Sequence, residues 1–253
     1  MTKQMPARKL PILGKTHPAI IAVWAAVLAA AYLLPAIPMI GTGSTFSVTT
    51  ALLPLAGIFF GPIPGAVCAA VGGFIGSILA PHTAWMGIGT FIIGATTAFV
   101  SGLISRGKIP VVLVVYVIGT ALWFTQEIGR GFPPLPIAYY GPGFIAAMIG
   151  CIFAARWLTG ANKGLKFPAV WLCAFGGMMG GAAIGNFFSL LLYKLPKEVW
   201  ATLVFLGPVE RTIFSLGAMI VGVPLLIGLP KIGIFVGPDV AEPEMPDEDS
   251  HTA

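Results

Sequence analysis

The chain has 253 residues, of which 57% are hydrophobic and only 9% are charged, and its mean hydropathy is +0.94. This composition excludes an ordinary soluble domain, in which about a quarter of the residues are charged, and it predicts an all-α polytopic membrane protein. The net charge of +5 is unevenly distributed, because six of the nine acidic residues follow residue 236.

The two ends of the chain differ in charge, and one long apolar region separates them. Residues 1–17 are basic, and we expect them to form a cytoplasmic N-terminus. Residues 18–236 are predicted to form a single transmembrane helical domain, whose first apolar run is too long for a removable signal peptide. Residues 237–253 contain too little apolar surface to fold, so we expect a disordered acidic cytoplasmic tail.

Apolar runs long enough to cross a membrane recur along the chain and predict its spans. They lie at residues 18–38, 84–104, 109–126, 137–158, 168–192 and 203–229. Residues 45–80 are too long for one ordinary crossing and just sufficient for two short ones. The sequence therefore predicts about eight transmembrane helices.

The segment at residues 45–80 contains its own point of reversal. Its apolar part, LPLAGIFFGPIPGAVCAAVGGFIGSILAP, has no charge but is interrupted by Gly61, Pro62, Pro64 and Gly65. A turn in lipid must reach water or be covered by protein, and a proline at the first helical position loses no hydrogen bond. We predict a helical hairpin that turns at GPIPG and packs closely through glycines spaced four residues apart.

Gly-Pro follows an aromatic or apolar pair at three places, FFGP (59–62), YYGP (139–142) and FLGP (205–208). Because proline is favoured at the beginning of a helix, the sequence predicts a helix start at each place. In the eight-span topology the first lies on the inner side and the other two on the outer side, so we infer no internal duplication from them.

Lys and Arg orient the predicted spans, because cytoplasmic loops hold the excess of positive charge. With eight spans, ten basic residues lie on the side of the two termini. Arg130, Lys194 and Lys197 lie on the other side, and Arg211 lies near that boundary. Both termini are therefore predicted to be cytoplasmic, in a multi-pass protein of the cell (inner) membrane.

Polar and aromatic residues within or beside the spans are candidates for binding a solute, because ionisable groups are costly inside a membrane. The candidates are Trp85, Trp123, Gln126, Glu127, Arg130, Asn186, Glu210 and Arg211. Most of them are expected near the outer surface, where a water-filled cavity can gather them. Indole rings stack on an aromatic solute, while amide, carboxylate and guanidinium groups fix its polar edge.

Alternative interpretations of these residues stay open. Glu127 and Arg130 are three residues apart and can neutralise each other without a ligand. Tyr139 and Tyr140 fit a membrane–water interface, where tyrosine is enriched. We favour the interfacial interpretation for the two tyrosines and the ligand interpretation for Glu127 and Asn186.

The chain resembles a known transporter family over about residues 45–108. The segment LLPLAGIFFGPIPGAVCAAVGGFIGSILAP, followed by WMGIGTFIIGATTAFVSGLISRGK, is similar to the second to fourth helices of the substrate-binding S components of energy-coupling factor (ECF) transporters. The closing segment GPVERTIFSLGAMIVGVPLLIGLPK is similar to their last helix. S components typically have six helices, so the resemblance implies a six-helix core with an extra helical pair within residues 109–158.

The resemblance implies a membrane-embedded solute-binding subunit for uptake of a vitamin or a similar small molecule. Its partners would be a transmembrane coupling subunit and cytoplasmic ATPases that energise uptake. Family members dock on the coupling subunit through alanines spaced by four on the first helix, and Ala22, Ala26 and Ala30 match this pattern, although an alanine-rich helix produces the same spacing by composition alone. The resemblance also implies that the first outer loop, residues 39–48, closes over bound solute.

The sequence gives no indication of catalysis. It has no nucleophile elbow, HExxH motif, Walker lysine or paired intramembrane carboxylates, and its three cysteines lack metal-ligand spacing. We therefore expect no enzyme activity, cofactor, metal or nucleic-acid partner. Two other functions stay open, namely a membrane sensory or scaffold module without a transported solute, and a stand-alone secondary transporter with Glu127 or Glu210 as its ion-coupling group.

Overall fold

The fold is a bundle of apolar helices, seen in a computed structural model that describes residues 18–39, 44–193 and 195–238. The α-helices of this part are α1 Pro18–Ala31, α2 Thr49–Phe60, α3 Pro62–Leu79, α4 Phe91–Ile104, α5 Ile109–Thr125, α6 Glu127–Arg130, α7 Gly141–Thr159, α8 Lys163–Leu192 and α9 Lys197–Gly228. A short antiparallel pair, β1 Pro35–Pro38 and β2 Thr45–Ser47, connects α1 to α2. We call this pair the β-hairpin.

The helices confirm the predicted all-α polytopic membrane fold. Five segments are long and apolar enough to cross a membrane, and α1, α2 and α5 are shorter apolar helices. These eight segments and the four-residue α6 lie within the described residues, but only five of them have the length of a span, so the number of eight spans stays a prediction. The predicted basic N-terminus, residues 1–17, and nearly all of the predicted tail, residues 237–253, lie outside the described residues.

Two sequence predictions about helix ends differ from the structure. The first span was expected to be helical to residue 38, but α1 ends at Ala31, because Pro35 and Pro38 favour extended backbone and the chain enters β1. The FLGP motif at residues 205–208 was expected to begin a helix, but α9 already begins at Lys197 and continues through Pro208. The other two Gly-Pro motifs begin α3 and α7 as predicted.

The reversal between α2 and α3 occurs at one residue. Gly61 has a φ of +103° and separates Phe60, the last residue of α2, from Pro62, the first residue of α3. Such a φ is readily available only to glycine. The predicted hairpin turn is therefore found at Gly61 and Pro62, while Pro64 and Gly65 lie in the first turn of α3.

Arg106 lies just beyond α4 and connects the ends of two helices near this turn. Its Nη1 donates to the carbonyl oxygens of Gly57 at 3.2 Å and Gly102 at 3.3 Å, and to Ser105 Oγ at 2.9 Å. Burial lowers the pKa of Arg106 to about 10, so the guanidinium is still charged at neutral pH. A cation at the carboxyl ends of α2 and α4 is favourable because it opposes their dipoles.

The antiparallel course of the chain gives the bundle two distinct ends. The Arg106 end carries the turn at Gly61 and the α4–α5 connection, whereas the opposite end, which we call the hairpin end, carries the β-hairpin and residues 80–90, 193, 195 and 196. Helix α8 contacts α2, α4, α5, α7 and α9 and is buried along most of its length. It is therefore the central helix, and its carboxyl-terminal half leads to the hairpin end.

Candidate functional site

A cavity lined by both apolar and polar side chains lies at the hairpin end of the bundle, and it consists of two adjoining chambers. The first chamber contains about 670 Å³ of empty space, open solvent included. Its lining residues are Tyr32, Met39, Phe46, Ser47, Thr50, Leu53, Thr83, Trp85, Thr90, Ile93, Gly94, Thr97, Met178, Ala182, Gly185, Asn186 and Arg211. They come from the β-hairpin region, α2, the 80–90 segment, α4, α8 and α9, so residues far apart in the chain form one wall.

The second chamber is smaller, with about 510 Å³ of empty space measured in the same way. It is lined by Met39, Phe46, Trp85, Tyr139, Asn186, Ser189, Leu195, Trp200, Leu203, Glu210 and Arg211. Five residues line both chambers, namely Met39, Phe46, Trp85, Asn186 and Arg211. The shared wall indicates that one solute can contact both chambers.

Threonine hydroxyls form a polar wall in the first chamber. Thr90 Oγ1 accepts a hydrogen bond from the backbone N–H of Met86 at 3.1 Å, and Thr83 Oγ1 donates to the carbonyl of Ala80 at 2.8 Å. The hydroxyls of Thr50 and Thr97 make no hydrogen bond to another described residue. Since a hydroxyl both donates and accepts, this wall can hydrogen-bond polar groups of a solute.

Glu210 and Arg211 place one negative and one positive charge at the cavity. Arg211 Nη1 lies 3.5 Å from Glu210 Oε2, and the Glu210 residue is only 5% exposed. The guanidinium carbon of Arg211 also lies 4.7 Å from the centroid of the Phe46 ring on β2, a cation–π distance. Phe46 in turn packs edge-on against Phe214 of α9, so the β-hairpin is connected to α9 at the cavity.

Trp85 is held at the wall shared by both chambers. The Tyr193 hydroxyl donates to the backbone carbonyl of Trp85, and the two rings lie 6.0 Å apart. Tyr193 directly follows α8, whereas Trp85 lies in the segment between α3 and α4. This contact joins two connections at the hairpin end and holds Trp85 at the cavity.

The structure brings together four of the eight residues that the sequence singled out. Trp85, Asn186, Glu210 and Arg211 line the cavity, and the remaining four do not. Glu210 lies 13 residues into α9, roughly 20 Å from its first residue at 1.5 Å per residue. The sequence placed the start of this span at residue 203, only seven residues before Glu210. The carboxylate is therefore farther from the start of its helix than predicted.

The other four candidates lie where α5 ends and the chain turns into α6. Trp123 is fully buried and packs edge-on against Trp200, a residue of the second chamber, at 4.9 Å. Gln126 is half-buried, and Glu127 and Arg130 are exposed. Because α5 stops at Thr125, these charges stay at the surface instead of entering the bundle.

The alternative interpretation, in which Glu127 and Arg130 neutralise each other, is not what the structure shows. Arg130 Nη1 donates to the carbonyl of Thr125 at 2.9 Å, at the carboxyl end of α5. Among the described residues, Glu127 forms no ion pair with Arg130. The guanidinium therefore satisfies a free helix-end carbonyl, as basic residues at such positions commonly do.

Sequence reasoning missed two tyrosines that contribute to the site. Tyr139 and Tyr140 were expected at the membrane–water interface, but they are 3% and 2% exposed. Tyr139 lines the second chamber. Its ring packs directly against Gly207, and a Cβ added to this glycine would lie only 1.8 Å from the ring. The glycine of the FLGP motif therefore makes room for this ring. The spacing of residues in the sequence does not reveal this contact.

The alanines predicted to dock a partner lie on an uncovered face of the chain. Ala22, Ala26 and Ala30 are exposed on α1, whereas Ala25 and Ala29 of the same helix are buried. Within the part of the chain that the structure describes, no other helix covers these three alanines.

Comparison with known families matches residues 16–126 to the model of the ECF-type riboflavin transporter S component. The matched segment includes α1 to α5 and ends one residue after α5. This match supports an ECF S component and confirms the resemblance over residues 45–108, while the similar closing segment lies outside the matched residues. S components are membrane subunits that bind the substrate of a transporter.

The chain is also similar, at low identity, to one archaeal protein. An uncharacterized protein of Methanocaldococcus jannaschii is 23% identical over 189 residues, which cover 72% of this chain and 62% of the relative. The chain thus spans less than two thirds of the length of the relative that it matches. No solved structure matches the chain.

Proposed function

We propose that this protein is the solute-binding subunit of an ECF-type uptake system and that the two-chamber cavity at the hairpin end is its binding site. The observation that carries the proposal is the convergence of an amide, hydroxyl groups, one ion pair and aromatic rings in a bundle that is otherwise apolar. Polar groups inside a membrane domain are costly and are kept where they serve a function. A structural scaffold alone does not require such a cavity.

The chemistry of the cavity favours a neutral solute with an aromatic ring and several polar groups. The charges of Glu210 and Arg211 cancel, so the wall offers no net charge to attract an ion. Phe46 and Trp85 offer ring faces, and Asn186 and the threonines offer hydrogen bonds. Riboflavin, the solute in the name of the matching family, combines a heteroaromatic ring with a hydroxylated chain and is the first candidate.

We propose that the hairpin end faces the outside of the cell. The basic residues Arg106, Lys108, Arg156, Lys163 and Lys231 lie at or beside helix ends at the Arg106 end, and an excess of positive charge indicates the cytoplasmic side. The cavity then receives solute from outside, as uptake of a vitamin requires. The termini would both be cytoplasmic.

The exposed alanine face of α1 supports the proposed partner. A transmembrane coupling subunit can pack against Ala22, Ala26 and Ala30, because small side chains let two helix backbones approach. Cytoplasmic ATPases bound to that subunit would then supply the energy for uptake.

Riboflavin binding to the purified full chain tests the proposed function. We expect quenching of flavin fluorescence in detergent solution, and an Asn186→Ala variant should bind about tenfold more weakly, because loss of a buried hydrogen-bond partner costs roughly 1–3 kcal/mol. Asn162→Ala is the matched control, since Asn162 is exposed at the beginning of α8 and far from the cavity. Equal weakening by both variants, or no binding of riboflavin, would contradict the proposal.

Reconstitution in liposomes distinguishes the proposed subunit from a stand-alone transporter. The chain alone should accumulate no riboflavin under an ion gradient, and accumulation should require the coupling subunit, the ATPases and ATP. Ion-driven accumulation by the chain alone would favour a secondary transporter instead.

A further inference from the structure

Tyr140 lies behind the cavity wall and reaches the site through one hydrogen bond. Asn186 Nδ2 donates to the Tyr140 hydroxyl at 3.1 Å. Asn186 lines both chambers, whereas Tyr140 lines neither and is 2% exposed. The tyrosine therefore contacts a residue of the binding wall without being available to the solute itself.

The position of Tyr140 is well defined by its surroundings. It ends a π-helical segment, Pro136–Tyr140, which directly precedes α7 and contacts α8 and α9. Pro142 lacks a backbone N–H, and this removes one regular helical hydrogen bond just after the tyrosines. Such π-helical turns are frequent at functional sites. The ring of Tyr139 packs edge-on against Tyr140 at 5.4 Å, which further restricts it.

The hydrogen bond leaves a defined part of the Asn186 amide for a solute. An asparagine amide has two N–H donors and one oxygen acceptor. One donor is directed to Tyr140. The second donor and Oδ1 make no hydrogen bond to another described residue, so they are available to a solute that enters the cavity.

We propose that Tyr140 is a positioning residue that holds the Asn186 amide so that it recognises the N–H and C=O of a cyclic amide or imide in the solute. In this arrangement Oδ1 accepts from the solute N–H, and the remaining Nδ2–H donates to the solute carbonyl. A solute without the N–H would leave Oδ1 unpaired and would bind more weakly. The inference rests on the proposed function, because it concerns the same cavity.

The first test requires no ligand, because the chain contains only two asparagines, Asn162 and Asn186. Protein labelled with ¹⁵N-asparagine should show two pairs of side-chain amide signals by NMR, and the pair that disappears in Asn186→Ala is that of Asn186. A Tyr140→Phe substitution should shift the Asn186 pair and leave the Asn162 pair in place. An unmoved Asn186 pair would overturn the proposal.

Tyr116→Phe is the matched control for this substitution. The Tyr116 hydroxyl donates to the carbonyl of Gly176 at 2.7 Å and is buried, so its removal also deletes a hydrogen bond to α8. Gly176 lies ten residues before Asn186, roughly 15 Å along the helix. Tyr116→Phe should leave the Asn186 signals and the solute affinity unchanged, and an effect on either equal to that of Tyr140→Phe would show a general packing effect.

The second test measures binding of riboflavin and of its N3-methyl analogue, which lacks the imide N–H. The unmodified chain should prefer riboflavin, and Tyr140→Phe should weaken riboflavin binding about fivefold, the equivalent of one typical hydrogen bond, while reducing the preference over the analogue. In an Asn186→Ala background, Tyr140→Phe should have no further effect. Unchanged preference, or full additivity of the two substitutions, would overturn the proposal.

The two tests separate this inference from the proposed function. If the unmodified chain binds no riboflavin, the proposed solute is wrong, and the NMR comparison decides the role of Tyr140. A shifted Asn186 pair then supports the positioning role, and an unmoved pair contradicts it.

Discussion

Glu210 and Arg211 contribute both to the stability of this protein and to the wall of its proposed binding site. They form the one ion pair found among the described residues, and Glu210 is nearly inaccessible. Neighbouring residues of a helix do not share a face, so the two side chains meet only by bending toward the cavity wall. Arg211 also contacts the Phe46 ring, and it therefore links a buried carboxylate to the β-hairpin.

The Glu210–Arg211 pair predicts an asymmetric response to substitution. Arg211→Met should destabilise the chain by on the order of 3 kcal/mol, because it leaves a buried carboxylate without its partner. Glu210→Gln should cost less, and the double variant should be more stable than Arg211→Met alone. Thermal unfolding in detergent measures the order of the three variants, and additive effects of the two single substitutions would show that the pair is not coupled.

At the scale of elements, the packing of α2, α3 and α4 depends on contact between helix backbones. A Cβ on Gly57 of α2 would lie 1.8 Å from the carbonyl oxygen of Ala98 in α4. Both helices also end at the Arg106 guanidinium. The lack of a side chain at Gly57 thus allows α2 and α4 to pack with their backbones in contact. The positive charge of Arg106 opposes the dipoles at the carboxyl ends of both helices.

Gly57→Ala should therefore disrupt the bundle although it adds a single methyl group. We expect a loss of at least 1–3 kcal/mol of stability, the usual cost of overpacking, since the obstructing atom belongs to the backbone and cannot rotate away. Gly228→Ala is the matched control, because no atom lies within 4 Å of its added Cβ. Similar unfolding temperatures for the two variants in detergent would contradict the packing argument.

For the whole molecule, the distribution of charge between the two ends decides the direction in which the cavity opens. Lys163 at the beginning of α8 is exposed at the Arg106 end, and Lys197 at the beginning of α9 is exposed at the hairpin end. If the Arg106 end is cytoplasmic, solute enters from outside. The reverse orientation would make the cavity a site for cytoplasmic solutes.

Labelling of intact cells with a membrane-impermeant maleimide tests this orientation. Lys197→Cys should be labelled directly, whereas Lys163→Cys should be labelled only after the membrane is permeabilised. The native Cys68, Cys151 and Cys173 are at most 5% exposed, so their background should be low, and the unmodified chain measures it. Direct labelling of Lys163→Cys but not Lys197→Cys would exclude uptake from outside.

The sequence by itself determined the membrane class and the reversal at Gly61, because hydrophobic length and helix-breaking residues are local properties of the chain. The cost of polar groups in lipid also singled out Asn186, Glu210 and Arg211, which the cavity contains. The same argument included Glu127 and Arg130, which the end of α5 leaves at the surface.

Only the tertiary structure decided which of these polar residues meet. Tyr140 contacts Asn186 across 46 residues, and Tyr193 contacts Trp85 across 108 residues. Helices that are apolar on every side carry no periodic pattern that tells which face turns inward. Their rotation is set by close packing, as where Gly207 admits the ring of Tyr139, and such contacts between distant residues exist only once the helices have assembled.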